Sequence, residues 1–165
     1  MTAFADLPDL VLKPLEGRPD ADWYRAPRGK WCPAQIVEHV TLGMEWSARG
    51  FMERRAREPM VRRPPGWRGH VARFLVFGVG WTPSGFEAPA LARPTERPDP
   101  KAVAVRFRDA VAEHLQLALM LLPARRSDLF VRNPRLGDLT LEEWMRFHVW
   151  HCGHHAKQIR RRLAG

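Results

Sequence analysis

Cysteine is scarce in this chain. Its 165 residues include two, Cys32 and Cys152, too few for a disulfide framework, so stability must come from a packed core. Long hydrophobic runs are missing too. The longest, VARFLVFGVGW at 71–81, contains Arg73 and falls well short of the about 20 apolar residues that span a bilayer. No transmembrane helix is expected. Nothing at the N-terminus resembles a signal peptide, which makes the cytoplasm the expected compartment. Internal repeats and a convincing strand pattern are also lacking, which points away from repeat and all-β architectures.

Positive charge is abundant. The net charge of +9 and a pI near 10.9 invite a nucleic-acid reading, because clustered Lys and Arg are the footprint of phosphate binding. Here the basic residues are overwhelmingly Arg, scattered in ones and twos from Arg18 onward, and the longest tract is Arg160, Arg161 and Arg162. Arginines in the last turn of a helix are what the helix macrodipole favours. Nucleic acid is therefore not an expected partner.

A chain of this length with 45% hydrophobic residues can bury one good core, which predicts a single domain over 1–165. The clearest helix is the last. Thr140 followed by Glu143 forms a capping box that predicts a helix over 141–163. Its broad inward face carries Leu141, Trp144, Met145, His148, His151, Cys152, His155 and Ile159. A second long helix is predicted over 33–57, with Pro33 at its first position, Gln35 in a capping role and an apolar stripe of Ile36, Val40, Met44 and Phe51. A third, over 101–122, has Asp99 as its cap, a stripe of Val103, Phe107, Val111, His114, Leu117 and Leu121, and a stop at Pro123. The N-terminal stretch LPDLVLKPL is apolar but contains Pro8 and Pro14, so any helix there is short or broken.

Residues 58–100 hold eight of the fifteen prolines, which excludes a long regular element. Trp67, Phe74, Leu75, Phe77, Trp81 and Phe86 are too apolar for a solvated coil. A short helix around 68–78 and an ordered loop packed over one end of a bundle are expected. Together these elements predict an all-α bundle.

The stretch FHVWHCGHHAKQIRRR, residues 147–162, is the most distinctive. Two ligands on one helix converge on an ion when they are i and i+4 apart. Both His151 with His155 and His148 with Cys152 satisfy this. His148 and His155 are about 10 Å apart along the axis and cannot share one ion. The best third ligand from another helix is His39, flanked by Ile36 and Val40. His70 and His114 read as structural.

RGKWCPAQIVEHV resembles a motif of the DinB/YfiT-like superfamily, in which a Trp opens the second helix and a His follows within two turns. LTLEEWMRFHVWHCGHHAKQI looks like the final helix of the same superfamily, whose hallmark is a His, three residues, a second His and soon a Gln. The resemblance implies a four-helix bundle, here with an ordered Pro-rich insertion between helices 2 and 3. It also implies a divalent metal held by one His of helix 2 and two of helix 4. Carried over by position, the ligands are His39, His151 and His155, which decides against the pair His148 and Cys152. Cys32 stands where relatives commonly have a capping Ser or Thr. Some members are transferases or isomerases that use a low-molecular-weight thiol, so the resemblance implies a metal site without fixing a substrate.

Three neutral imidazoles suit zinc or nickel and leave the ion's charge uncompensated, so a bound water or thiol would be acidified. The expected function is that of a metal-dependent hydrolase or thiol S-transferase acting on a small molecule. No catalytic base is assigned. Glu38 points about 100° away from its neighbour His39 and is expected to be exposed. His148 is expected to line the pocket or donate a supporting bond, while His154 and Gln158, on the flank near His151, orient a ligand or pack. The alternative is a non-enzymatic basic module that binds nucleic acid or a protein. The sequence leaves a homodimer open.

Overall fold

The computed structural model describes residues 2–79, 88–125 and 127–164. In chain order the elements are α1 (Thr2–Ala5), α2 (Leu7–Leu12), α3 (Asp20–Trp23), α4 (Pro33–Arg54), α5 (Trp67–Arg73), α6 (Pro100–Arg125), strands β1 (Val131–Asn133) and β2 (Gly137–Leu139), and α7 (Leu141–Ala164). The protein is mostly helical, and its long helices begin where the capping chemistry puts them. The Cys32 N–H donates to Gln35 Oε1 at 3.1 Å before α4. Ahead of α6, the Ala102 N–H donates to Asp99 Oδ1 at 2.7 Å. At the start of α7 the box is reciprocal, Thr140 N–H to Glu143 Oε2 at 2.9 Å and Glu143 N–H to Thr140 Oγ1 at 3.2 Å.

The predicted stripes are the buried faces. Ile36, Val40, Met44 and Phe51 of α4 meet Val103, Phe107, Val111 and Leu117 of α6 and Trp144 and Ile159 of α7 in one apolar cluster. Trp144 is 2% exposed and its indole N–H donates to the Val131 carbonyl at 3.0 Å. Truncating it to Ala would remove both packing and that bond, at a cost of about 3–5 kcal/mol. The N-terminal stretch is broken as expected, with Pro8 in the first turn of α2 and Pro14 in the 3-10 turn Lys13–Leu15. These short pieces still bury Leu7, Val11, Leu12 and Leu15, with α2 packed against α7 and α6.

Several expectations are corrected. Helix α4 ends at Arg54 rather than Arg57 because Arg125, at the end of α6, donates to the carbonyls of Arg55 and Arg57 at 3.1 and 2.8 Å. Those carbonyls are satisfied without another helical turn. Helix α6 runs through Pro123 to Arg125. Pro123 lies on the exposed side, so the carbonyl bond it cannot make falls where water can replace it.

No strand pattern is expected from the sequence, yet β1 and β2 pair antiparallel with Asn133 opposite Gly137. Strands of three residues are too short to show alternation. The turn is built locally: Asn133 Oδ1 accepts the N–H groups of Arg135 and Leu136 at 3.0 Å each, and Gly137 takes φ +78°, the left-handed region a three-residue hairpin loop requires.

The expected short helix is α5, which continues as wider π-type turns over Phe74–Val79. Its flank is tied to the hairpin and α7, since Arg62 and Arg73 both pair with Glu143 and Arg63 pairs with Asp138 at 3.2 Å. Trp67 and Phe74 do not enter the core; they are 72% and 68% exposed. Leu75 and Phe77 are half-buried, and Trp81 and Phe86 lie outside the described residues.

Candidate metal centre

Helices α4 and α7 pack side by side, which brings the second turn of one against the middle of the other. His39 projects from the buried stripe of α4. His151 and His155 project from α7 one turn apart. The three Nε2 atoms converge: His151 Nε2 lies 3.3 Å from His39 Nε2 and 3.0 Å from His155 Nε2. Their ligand atoms all lie within 4.8 Å of one another, the group of three potential ligands found among the described residues. His39 and His155 are each 7% exposed, and His151 is half-buried.

The outer nitrogens fix the tautomers. A carbonyl oxygen only accepts, so at 2.6 Å from Ala92 O the His39 Nδ1 must carry the proton. By the same reasoning His155 Nδ1–H donates to Gln158 Oε1 at 2.9 Å. Both Nε2 atoms are thus bare lone pairs aimed at the centre, and His151 Nε2–H could satisfy only one of them. At least one contact is then lone pair against lone pair. A divalent cation between them resolves all three at once. The observed 3.0 and 3.3 Å separations are close to the about 3.3 Å between nitrogens that share a tetrahedral ion at about 2.0–2.1 Å. The donor set fits such an ion.

Burial keeps the rings neutral, as ligation requires. It lowers His39, partly offset by the Ala92 bond. It drives His155 down to about 3, assisted by His39 and opposed by the Gln158 bond. Burial, and then the neighbouring His155 and His39, holds His151 well below the imidazole range. Aromatic rings wall the site. His151 stacks on Phe147 at 5.1 Å between centroids and on Trp150 at 6.4 Å, while Trp31 lies 4.8 Å from His39.

The other candidates sort themselves by contact. Gln158 bonds one of the three converging histidines, His155, and its Nε2 meets His154 Nε2 at 3.0 Å. His154 is therefore one step removed from the centre. His148 belongs to a separate buried group with His114, its Nε2 meeting Ser47 Oγ at 3.0 Å. Cys152 is fully buried, which pushes its thiol pKa up, and among the described residues the three-ligand group does not include the pair His148 and Cys152. His114 is structural as expected, and His70 is exposed on α5 outside the group.

Glu38 departs from expectation. It is 5% exposed and accepts the Thr95 N–H at 2.7 Å and the Thr95 hydroxyl at 2.9 Å, with Arg106 at 3.7 Å. The Pro-rich segment covers the flank of α4 that helical geometry alone leaves open. Gln35 Nε2 donates to the Thr95 and Glu96 carbonyls from the same flank. Together these bonds hold the segment that supplies the Ala92 carbonyl. That carbonyl is the functional group sequence reading missed, because a backbone acceptor carries no residue signature.

A comparison with curated proteins finds no match. The family model described as the DinB superfamily matches residues 3–159, which contain all three histidines and both helices that carry them. The chain belongs to the DinB superfamily.

Proposed function

We propose that this protein binds one divalent metal ion, zinc or nickel, through His39, His151 and His155, and uses it as a hydrolase or as a transferase of a low-molecular-weight thiol. The observation that carries the reading is the convergence of three neutral Nε2 atoms at 3.0 and 3.3 Å. When bound, the ion supplies Lewis acidity, acidifying water towards a pKa of about 7 or favouring a thiolate over its thiol. The chain's own groups do the rest. The Ala92 carbonyl and Gln158 fix the proton-bearing nitrogens outward, so that the inward ones stay free to ligate. Phe147 and Trp150 cover the His151 ring, and Trp31 covers that of His39.

In the same reading the N-terminal helices stand in for the first helix of a four-helix bundle, the Pro-rich stretch is an insertion between its second and third helices, and residues 1–165 form one domain. The test is elemental analysis of protein purified without a nickel column, followed by a screen of thiol-conjugate and hydrolytic activities on the metal-loaded form. One ion per chain and metal-dependent turnover are expected. Protein that takes up no stoichiometric divalent metal sinks the proposal.

A further inference from the structure

Two stretches of the chain contain basic residues and no acid. Residues 23–37 carry Arg25, Arg28 and Lys30, and residues 144–164 carry Arg146, Lys157, Arg160, Arg161 and Arg162. The fold brings them together. Arg25, Ala26 and Pro27 from the loop before α4 and Arg161 and Arg162 from the end of α7 line a cleft of about 290 Å³. The macrodipole accounts for arginines at the end of α7, but it gives the facing loop no reason to be basic.

Charges around the cleft are poorly balanced. Arg25 pairs with Asp22 at 2.7 Å, but that carboxylate is shared with Arg18 at 3.2 Å. The next acid along, Glu38, is engaged by Thr95 and faces Arg106. No acidic residue lines the cleft.

The cleft is also registered to the metal centre. His151, His155 and Arg162 are spaced i, i+4 and i+11, which places them on one face of α7. Arg162 lies seven residues beyond His155, about 10 Å along the axis. Its Nε–H donates to the Trp31 carbonyl at 3.3 Å, and the Trp31 ring packs 4.8 Å from His39. One residue thus links the arginine cleft to the wall of the histidine site.

We propose that this cleft binds the acidic end, a carboxylate or phosphate, of the molecule whose reacting group lies at the His39, His151 and His155 site. The inference rests on the function proposed above for that site. Guanidinium groups lining a concavity can supply bidentate, charge-assisted bonds to an oxyanion. The about 10 Å offset then sets the length of the molecule between its acidic and reacting ends.

The cleft is tested first in metal-free protein, by titration with inorganic phosphate and with succinate at constant ionic strength. Saturable binding is expected, weakened by about tenfold or more in R161Q/R162Q and unchanged in R57Q/R68Q, which removes the same charge from exposed positions elsewhere. The tighter of the two anions identifies the chemical group. In metal-loaded protein, a long-chain ω-mercapto carboxylate should bind more tightly than the ω-mercapto alcohol of equal length, and R161Q/R162Q should erase that preference while retaining its metal. Equal anion binding in all three proteins, no saturable binding, or an undiminished preference in R161Q/R162Q overturns the proposal. Protein that takes no metal fails the proposed function, while the metal-free titration still decides the cleft.

Discussion

Two buried clusters join α4 to α7, and both are made largely of histidine. In one, His148, Ser47 and His114 form a chain with a Ser47 hydroxyl 3.0 Å from each ring Nε2. His114 Nδ1–H is committed to the Ala110 carbonyl at 2.9 Å, so its Nε2 can only accept; the single Ser47 proton lies within reach of that nitrogen and of the Met44 carbonyl, each at 3.0 Å, and the Ser47 oxygen can accept from His148. A hydroxyl sits between the two rings, so neither Nε2 is directed at another ring nitrogen. In the other, His39, His151 and His155 direct their Nε2 atoms at one point, with the protons held outside by Ala92 and Gln158. Residue type does not separate the two clusters. The arrangement of the nitrogens does: the first cluster closes around the Ser47 hydroxyl, and the second turns its Nε2 atoms directly at one another.

The comparison breaks most visibly at the ligands. His155→Ala should abolish stoichiometric metal binding, measured by elemental analysis, because only His39 and His151 would remain. His148→Ala should leave the metal content intact but destabilise the fold by about 2–3 kcal/mol in urea titration, through a cavity beside Trp144 and the loss of the bond to Ser47. If His148→Ala strips the metal and His155→Ala does not, the roles of the clusters are reversed.

Acid probes the closed cluster next. His114 has its pKa lowered by burial from the ordinary 6.5 to about 4. The unfolded chain therefore takes up this proton well before the folded one. Its stabilising contribution is complete above about pH 6.5 and is lost as pH falls towards 4, amounting to about 3 kcal/mol for this group. Urea midpoints of metal-free protein at pH 7 and pH 4.5 should show the decline, and a flat profile would contradict the buried neutral assignment.

Support for the open cluster should matter less than its ligands. Gln158→Ala removes the acceptor that orients His155 and should weaken metal affinity by about 10–100-fold with stoichiometry retained. The smallest effect belongs to His70→Ala, which should change stability by no more than about 0.5 kcal/mol and leave metal binding untouched. A metal defect there would extend the site to α5.

What the sequence made legible was whatever depends on helical periodicity and local capping. Thr140, Glu143, Asp99 and Gln35 marked the helix starts, and the i, i+4 spacing of His151 and His155 placed them on one face. Geometry left His148 with Cys152 as a rival pair; the superfamily resemblance chose between them, and the fold brings His39 to His151 and His155. What stayed hidden depends on chain that periodicity does not govern. The β1–β2 hairpin is too short to alternate. Glu38 looked exposed until the Pro-rich segment covered it, and the Ala92 carbonyl that orients His39 belongs to the backbone. Trp67 and Phe74 misled in the opposite direction, because apolar character alone does not specify a packing partner.

X-ray absorption on the metal-loaded protein tests the central claim most directly, since it counts the atoms around the ion and distinguishes nitrogen from sulfur. The account predicts a first shell containing three imidazole nitrogens at about 2.0–2.1 Å and no sulfur. A sulfur scatterer at about 2.3 Å would place Cys152 or Cys32 on the metal and contradict the His39, His151 and His155 assignment.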